Sequence, residues 1–314
     1  MEIKNQSSVT YFILLGLSDH SAQQAMLFAL FFIMYSVALV SNSTIMATIA
    51  VDPQLHTPMY FFIWNLSLVD ICMTTAIVPQ LLFNILSQSR TISFSDCITQ
   101  LFFLIVIGNA NFLLLGAMAY DRYAAICKPL HYFMVMDKKF CLGVLAGSWV
   151  VGLLHSLLHS MMISRLSFCA SNLIQSFFCD LPPLLKLSCS DTTINELLLF
   201  TEALSIILIS VFSIVISYSR IILTILSIRT REGRMKAFST CSSHLIVVTL
   251  YYGTIAFIYF RPSSSYSLEK DKAVTVVYTI ITPMLNPFIY SLRNQKMKEA
   301  LNKICGRFIF FHMF

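Results

Sequence analysis

The chain has 314 residues, of which 57% are hydrophobic and only 11% charged, with a mean hydropathy of +0.76 and a formal net charge of +6. A water-soluble domain carries about 25% charged residues, so this chain has too few to cover a surface that faces water. The composition excludes an ordinary soluble domain and points to a surface in contact with lipid, where a basic balance reflects charges sorted by membrane side rather than nucleic-acid binding.

In chain order, the stretch MEIKNQSSVTYFILLGLSDH lacks the basic start, apolar core and small-residue cleavage site of a signal peptide. The first apolar run is therefore expected to act as its own uncleaved signal. A helix needs about 20 mostly apolar residues to cross a bilayer, and seven segments qualify. Ser21–Val51, Cys97–Tyr120, Phe140–Ser164, Ala237–Phe260 and Ala273–Leu292 contain no Asp, Glu, Lys or Arg. Pro58–Ser87 carries only Asp70, and Leu197–Ser219 only Glu202. The reading is an all-α membrane protein: a single seven-transmembrane helix bundle over residues 1–314, with a short amphipathic eighth helix. Its spans are predicted at about 23–50, 58–86, 97–122, 140–163, 197–227, 237–260 and 272–292, with an outer terminus over 1–22 and a cytoplasmic tail over 293–314.

Seven is odd, so the termini lie on opposite sides. The N-terminus and the loops after spans two, four and six hold seven Lys and Arg; the loops after spans three and five, with the tail, hold fourteen. The positive-inside rule puts the richer set in the cytoplasm and the N-terminus outside. Asn5-Gln6-Ser7 is a glycosylation sequon that works only on the outer side. The same triplet pattern at Asn42 and Asn65 falls inside spans and is expected to be unused. Four of nine cysteines, Cys97, Cys169, Cys179 and Cys189, fall on the oxidising side, where two disulfides have three possible pairings. A zinc site is the rival for these four, without a C-x-x-C spacing to support it.

The motifs narrow the class. DRY (Asp121, Arg122, Tyr123) closes the third predicted span and NPFIY (Asn286 to Tyr290) the seventh. LHTPMYFFIWNLSLVD (55–70), MAYDRYAAICKPLHY (118–132), SYSRI (217–221), KAFSTCSSHLIVV (236–248) and PMLNPFIYSLRN (283–294) recur in order along nearly the whole chain. With Asn42, Asp70 and Trp149, this combination resembles the olfactory (odorant) receptors, a group of rhodopsin-like G-protein-coupled receptors. Departures from the family pattern are Ser41 before Asn42, Tyr251-Tyr252-Gly253 in span six and Ser210 in span five where many members carry proline. None touches the signalling motifs.

Without that resemblance Arg122 reads as a charge anchoring a helix end at the headgroups. The resemblance instead implies a latch, with Arg122 paired to Asp121 at rest and released toward Tyr218, His244 and Tyr290 on activation. It implies a polar network of Asn42, Asp70 and Asn286 that holds water, with a sodium ion near Asp70 as a further expectation and no other cofactor. Pro287 removes a backbone donor and is expected to kink span seven. Met297, Leu301, Ile304 and Phe308 at helical spacing read as an interfacial helix. By resemblance Cys97 pairs with Cys179, which leaves Cys169 and Cys189 for each other.

On the outer half, the resemblance implies an odorant pocket among spans three, five, six and seven. Its residues would be Leu104, Ile105, Gly108, Asn109, Phe112, Ser205, Ile206, Tyr252, Ile255, Ala256, Tyr259 and Tyr278, suited to small, mainly apolar volatile molecules. Leu104 stands where amine receptors need a carboxylate. Glu202 either hydrogen-bonds in the vestibule or anchors a polar group of the ligand; His155 and His159, four apart on one helix face, are expected to approach it, with a His-His-Glu metal site as the rival. The implied partners are a small-molecule odorant, a stimulatory olfactory-type heterotrimeric G protein raising cyclic AMP, and membrane lipid, with no nucleic acid. The implied location is the plasma membrane of olfactory neuron cilia. A receptor for a non-volatile metabolite outside the olfactory epithelium is the alternative. No catalytic constellation is present in the sequence, and neither repeated halves nor a polar line through the bundle supports a transporter or channel.

Overall fold

A computed structural model describes residues 9–17, 21–87, 89–169, 172–259 and 268–311. Asn5 lies outside them. The helices are α1 (Ser21–Val51), α2 (Pro58–Ser87), α3 (Phe94–Cys127), the short α4 (Tyr132–Val135), α5 (Lys138–Ser164), α6 (Leu181–Leu187), α7 (Thr193–Ser227) and α8 (Arg231–Tyr259). They are followed by α9 (Leu268–Val276), a π-helical stretch (Val277–Ile281), α10 (Thr282–Arg293) and α11 (Gln295–Phe311). Seven helical segments are long and apolar enough to cross a membrane: α1, α2, α3, α5, α7, α8 and the α9–α10 unit. The chain is a multi-pass membrane protein, and its large exposed side chains, such as Phe32, Val40, Leu154, Ile209 and Leu223, are those a lipid-facing surface needs.

Helix ends follow local chemistry. Asp137 caps α5 by accepting from Phe140 N at 2.7 Å, and Ser93 caps α3 by accepting from Asp96 N at 3.1 Å while its hydroxyl donates to the Asp96 carboxylate at 2.6 Å. Asn294 Oδ1 accepts from the backbone N–H groups of Lys296 and Met297, starting α11, whose Met297 and Ala300 are buried against the bundle. The side chains of Ile304 and Phe308 lie outside the described residues. The third span corrects its predicted boundary. It runs five residues beyond Arg122, through the helix-favouring Ala124 and Ala125, and stops at Lys128 because Pro129 disfavours helix in the residue before it.

Close packing of α3 on α5 positions everything that follows. Ser148, Gly152, Ser156 and Ser160 recur every four residues on α5 and are all buried, a small-residue face of the kind that lets membrane helices approach. A Cβ on Gly152 would stand 2.9 Å from Val106 O on α3, and Ser156 Oγ donates to Phe102 O at 2.6 Å. In the seventh span, Pro287 has no N–H for the carbonyl of Pro283, four residues back. Asn42 of α1 supplies the missing donor, with Nδ2 3.0 Å from Pro283 O. The helical irregularity lies one turn earlier, in the π-helical stretch before Pro283.

The outer end carries a small sheet that the all-α reading did not anticipate. β1 (Tyr11–Leu14) pairs antiparallel with β2 (Thr91–Ser93) and parallel with β3 (Leu173–Ile174), in the order β2-β1-β3. Phe12, Leu14, Ile92, Phe168, Ile174 and Leu184 form a second apolar core over the bundle. Two disulfides staple this lid: Cys97–Cys179 joins it to the start of α3, and Cys169–Cys189 closes a loop within it. Gln100 adds a polar tie, accepting from Cys179 N at 2.9 Å and donating to Ala76 O at 2.8 Å.

Candidate ligand cavity and inner polar cluster

Beneath the lid lies a cavity of about 480 Å3, within the usual range for small-molecule sites. Leu104, Ile105, Gly108, Asn109 and Phe112 line it from successive turns of one face of α3, joined by Ile255 and Tyr278. These seven residues match the sequence expectation. Four other span-five and span-six positions lie off this wall. Leu204 and Ile207 line the cavity from α7, while Ser205 is exposed and Ile206 is buried in the helix core. On α8, Tyr251 joins Ile255 in the lining, while Ala256 is exposed and Tyr252 turns its hydroxyl to donate to Phe112 O at 3.1 Å. One residue of error rotates a side chain by about 100° on a helix, enough to move it off the wall. The side chains of Glu202 and Tyr259 lie outside the described residues.

Several wall residues come from elements the expectation left out. Met73 and Ile77 reach in from α2, Phe178 and Leu181 descend from the lid, and His155 enters from α5. His155 and His159 do share a face: their Nε2 atoms are 2.9 Å apart, and His155 Nδ1 is 2.6 Å from Asn109 Nδ2. The i, i+4 spacing carried the first contact; nothing in the sequence carried the second. Among the described residues no group of three His, Cys, Asp or Glu side chains is arranged to hold a metal ion. Asp180, Lys186 and Glu196 place charges at the mouth. Asp180 caps α6 by accepting from Leu181 N at 2.8 Å. Surrounding protein pushes its carboxyl up to about 6, with the Leu181 N–H pulling the other way. Part of the side chain nevertheless opens on the cavity.

At the opposite end, Asp121 and Arg122 attract each other electrostatically, and a further partner holds the carboxylate. Asp121 accepts a hydrogen bond from Tyr132 Oη at 2.7 Å, and Arg122 Nε is buried without a hydrogen-bond partner. Neighbouring residues on a helix point about 100° apart, which leaves Asp121 free to meet α4 as well. The phenol of Tyr132 is held protonated by burial and by the Asp121 carboxylate. Tyr123 lies against the small apolar cluster that joins α3, α7 and α8.

Tyr218 and His244 hold each other. Their rings stack 5.7 Å apart at 4°, and Tyr218 Oη is 2.9 Å from His244 Nδ1. His244 Nε2 is 3.1 Å from Leu115 O; since a carbonyl only accepts, the proton sits on Nε2 and Nδ1 accepts from the tyrosine. Deeper in the bundle, Asn286 Nδ2 donates to Asp70 Oδ2 at 2.8 Å. Asn42 Oδ1, Asp70 Oδ1, Asn286 Oδ1 and Tyr290 Oη are buried without hydrogen-bond partners among the described residues. These four atoms leave hydrogen-bonding capacity unfilled in the inner half of the bundle.

A seven-helix membrane protein with an apolar ligand-sized cavity near one face and buried, under-satisfied polar groups near the other is compatible with a ligand-operated receptor. Comparison with known proteins makes this specific. The family profile described as Olfactory receptor matches residues 31–307. The chain is 53% identical over 308 residues to human Olfactory receptor 1L6, covering 98% of this chain and 89% of that one. It is 52% identical to Olfactory receptor 1f45 of Rattus norvegicus, covering 97% of each, and 48% identical to Olfactory receptor 5AR1 of Mus musculus, covering 98% and 99%. The chain belongs to the olfactory receptor family.

Proposed function

We propose that this odorant receptor binds small, mainly apolar volatile molecules in the cavity under the lid, and that binding activates a stimulatory olfactory-type heterotrimeric G protein that raises cyclic AMP. The observation that carries the reading is the cavity itself: apolar walls from α3, α7 and α8, a lid held by two disulfides, and few polar groups inside. Such a site favours ligands held by shape and one or two hydrogen bonds. In this reading the N-terminus and lid are extracellular, the tail is cytoplasmic, and the receptor works in the ciliary membrane of olfactory neurons.

Coupling is a population shift. An agonist moves the equilibrium only by the difference between its affinities for the two states. At rest, Tyr132 holds Asp121 and Tyr218 holds His244. In the active state α8 swings out, the Tyr218–His244 clasp opens, and Arg122 reaches Tyr218 and Tyr290. The G protein then docks against the basic residues of the inner loops and the exposed Leu130, Phe133 and Met134. Asp70, with Asn42 and Asn286 beside it, offers hard oxygen donors that suit sodium, which would neutralise the buried carboxylate and favour the resting state.

The test is a cyclic AMP reporter assay in cells with surface levels measured in parallel, against a diverse odorant panel and a set of non-volatile metabolites. Activation by volatiles that depends on a co-expressed stimulatory G protein supports the reading. Current evoked by agonist without any G protein, or responses to the metabolites alone, overturns it.

A further inference from the structure

Close approach of α3 and α5 at Gly152 brings three polar side chains into line from the cavity wall inward. Asn109 Nδ2 stands 2.6 Å from His155 Nδ1, and His155 Nε2 stands 2.9 Å from His159 Nε2. Donor and acceptor roles along this line are fixed by chemistry. An amide nitrogen only donates, so His155 Nδ1 accepts and the His155 proton sits on Nε2. That proton is donated to His159 Nε2. His159 is 2% exposed, so the inner end of the line is anchored in protein and the outer end faces the cavity. One of the two N–H groups of Asn109 is engaged and its nitrogen is turned toward α5, so Oδ1 is the amide's only acceptor, and the residue lines the cavity beside Gly108 and Phe112.

We infer that the Asn109–His155–His159 line sets the chemical preference of the pocket, presenting a fixed acceptor that selects ligands carrying a hydroxyl donor, alcohols or phenols, over aldehydes, ketones and ethers of the same shape. Asn109 is the contact residue. His155 is a positioning residue that stops the amide from turning over and offering its nitrogen instead. An unclamped asparagine serves donors and acceptors alike, so the discrimination depends on the histidine behind it. Two other hydroxyls on the same wall have engagements of their own: Tyr251 Oη lies 3.5 Å from Gly108 O, and Thr279 Oγ1 donates to Thr275 O at 2.7 Å. The inference rests on the odorant-receptor reading above and names the ligand class for that same cavity.

The experiment uses the full-length receptor, with surface level and cyclic AMP measured together. Straight-chain, phenyl and terpenoid skeletons are each tested as the alcohol, the aldehyde, the methyl ether and the parent hydrocarbon. On any skeleton that activates, the alcohol is expected to be about three- to tenfold more potent than the ether, the fold-change that one net hydrogen bond supplies. Asn109→Leu is expected to lower alcohol potency to that of the ether while leaving the hydrocarbon and ether responses in place. His155→Phe is expected to retain activation but bring alcohol and aldehyde to equal potency, a change of selectivity that loss of folding alone does not produce. Equal potency of alcohol and ether on the unmodified receptor, a preference for aldehyde and ether, or an unchanged ratio in Asn109→Leu each overturns the inference and leaves the receptor reading intact. Silence of the surface-expressed receptor toward every compound removes the receptor reading and the inference with it.

Discussion

At the outer end of the bundle, two disulfides, a three-stranded sheet and a second apolar core hold the lid in one arrangement. At the inner end, Arg122 Nε, Asp70 Oδ1 and Tyr290 Oη are buried without hydrogen-bond partners among the described residues, and the Asp121–Tyr132 and Tyr218–His244 contacts each rest on one hydrogen bond between side chains. A pre-formed lid lowers the entropy lost when a ligand binds. Under-satisfied buried groups do the opposite job, because another arrangement of the same residues can satisfy them better. The difference teaches that this chain is stiff where it recognises and nearly balanced where it switches.

The largest expected effect breaks the stiff end. Cys97→Ser removes the staple between lid and α3, and loss of a native disulfide costs about 2–5 kcal/mol. Surface staining of intact cells is expected to fall at least about tenfold, and normal surface levels would contradict the role given to the staple. Next comes the helix contact that aligns the cavity. Gly152→Ala sets a methyl 2.9 Å from a backbone oxygen and is expected to cost about 1–3 kcal/mol, whereas Gly143, with nothing within 4 Å, accepts alanine without loss. Thermal unfolding of the two purified variants separates them.

A smaller change sharpens the account of the balanced end. Tyr132→Phe deletes one hydrogen bond to Asp121, worth about 0.5–1.5 kcal/mol, and is expected to raise basal cyclic AMP roughly three- to tenfold at equal surface level. Unchanged basal signalling would mean that Tyr132 is only a packing residue. The smallest effect returns to the lid. Asp180 has a folded-state pKa near 6, above the ordinary carboxylate range. The folded protein therefore binds its proton more tightly than the unfolded chain, and stability is lost as pH rises from about 4 through 6. Asp180→Asn keeps the oxygen that caps α6, so its melting temperature should exceed that of the unmodified protein at pH 7, with the gap closing toward pH 4. A gap independent of pH would assign the gain to something other than this carboxylate.

Some of this was legible from residues alone. Uninterrupted apolar runs located all seven spans to within a few residues, since lipid leaves a helix no other way to satisfy its backbone. The sheet was not legible, because YFIL and TIS are short and the partner strand of β1 lies some 160 residues away along the chain. The facing of α3 came from the family resemblance, which did not carry as far on α7 and α8. A helix that is apolar on every side carries no signal of which side meets the cavity, and so Ser205, Ile206, Tyr252 and Ala256 were expected on a wall that Leu204, Ile207 and Tyr251 occupy.

The sequence by itself determined that the chain crosses a membrane seven times, which cysteines sit where a bridge can form, and which family its motifs match. Those properties depend on hydropathy and residue identity, which are written in one dimension. Only the tertiary structure decided that Asp121 meets Tyr132, that Asn42 serves the carbonyl Pro287 leaves open, and that Asn109 meets His155. Each is a contact between separate segments, fixed by helix rotation and close approach to within an ångström.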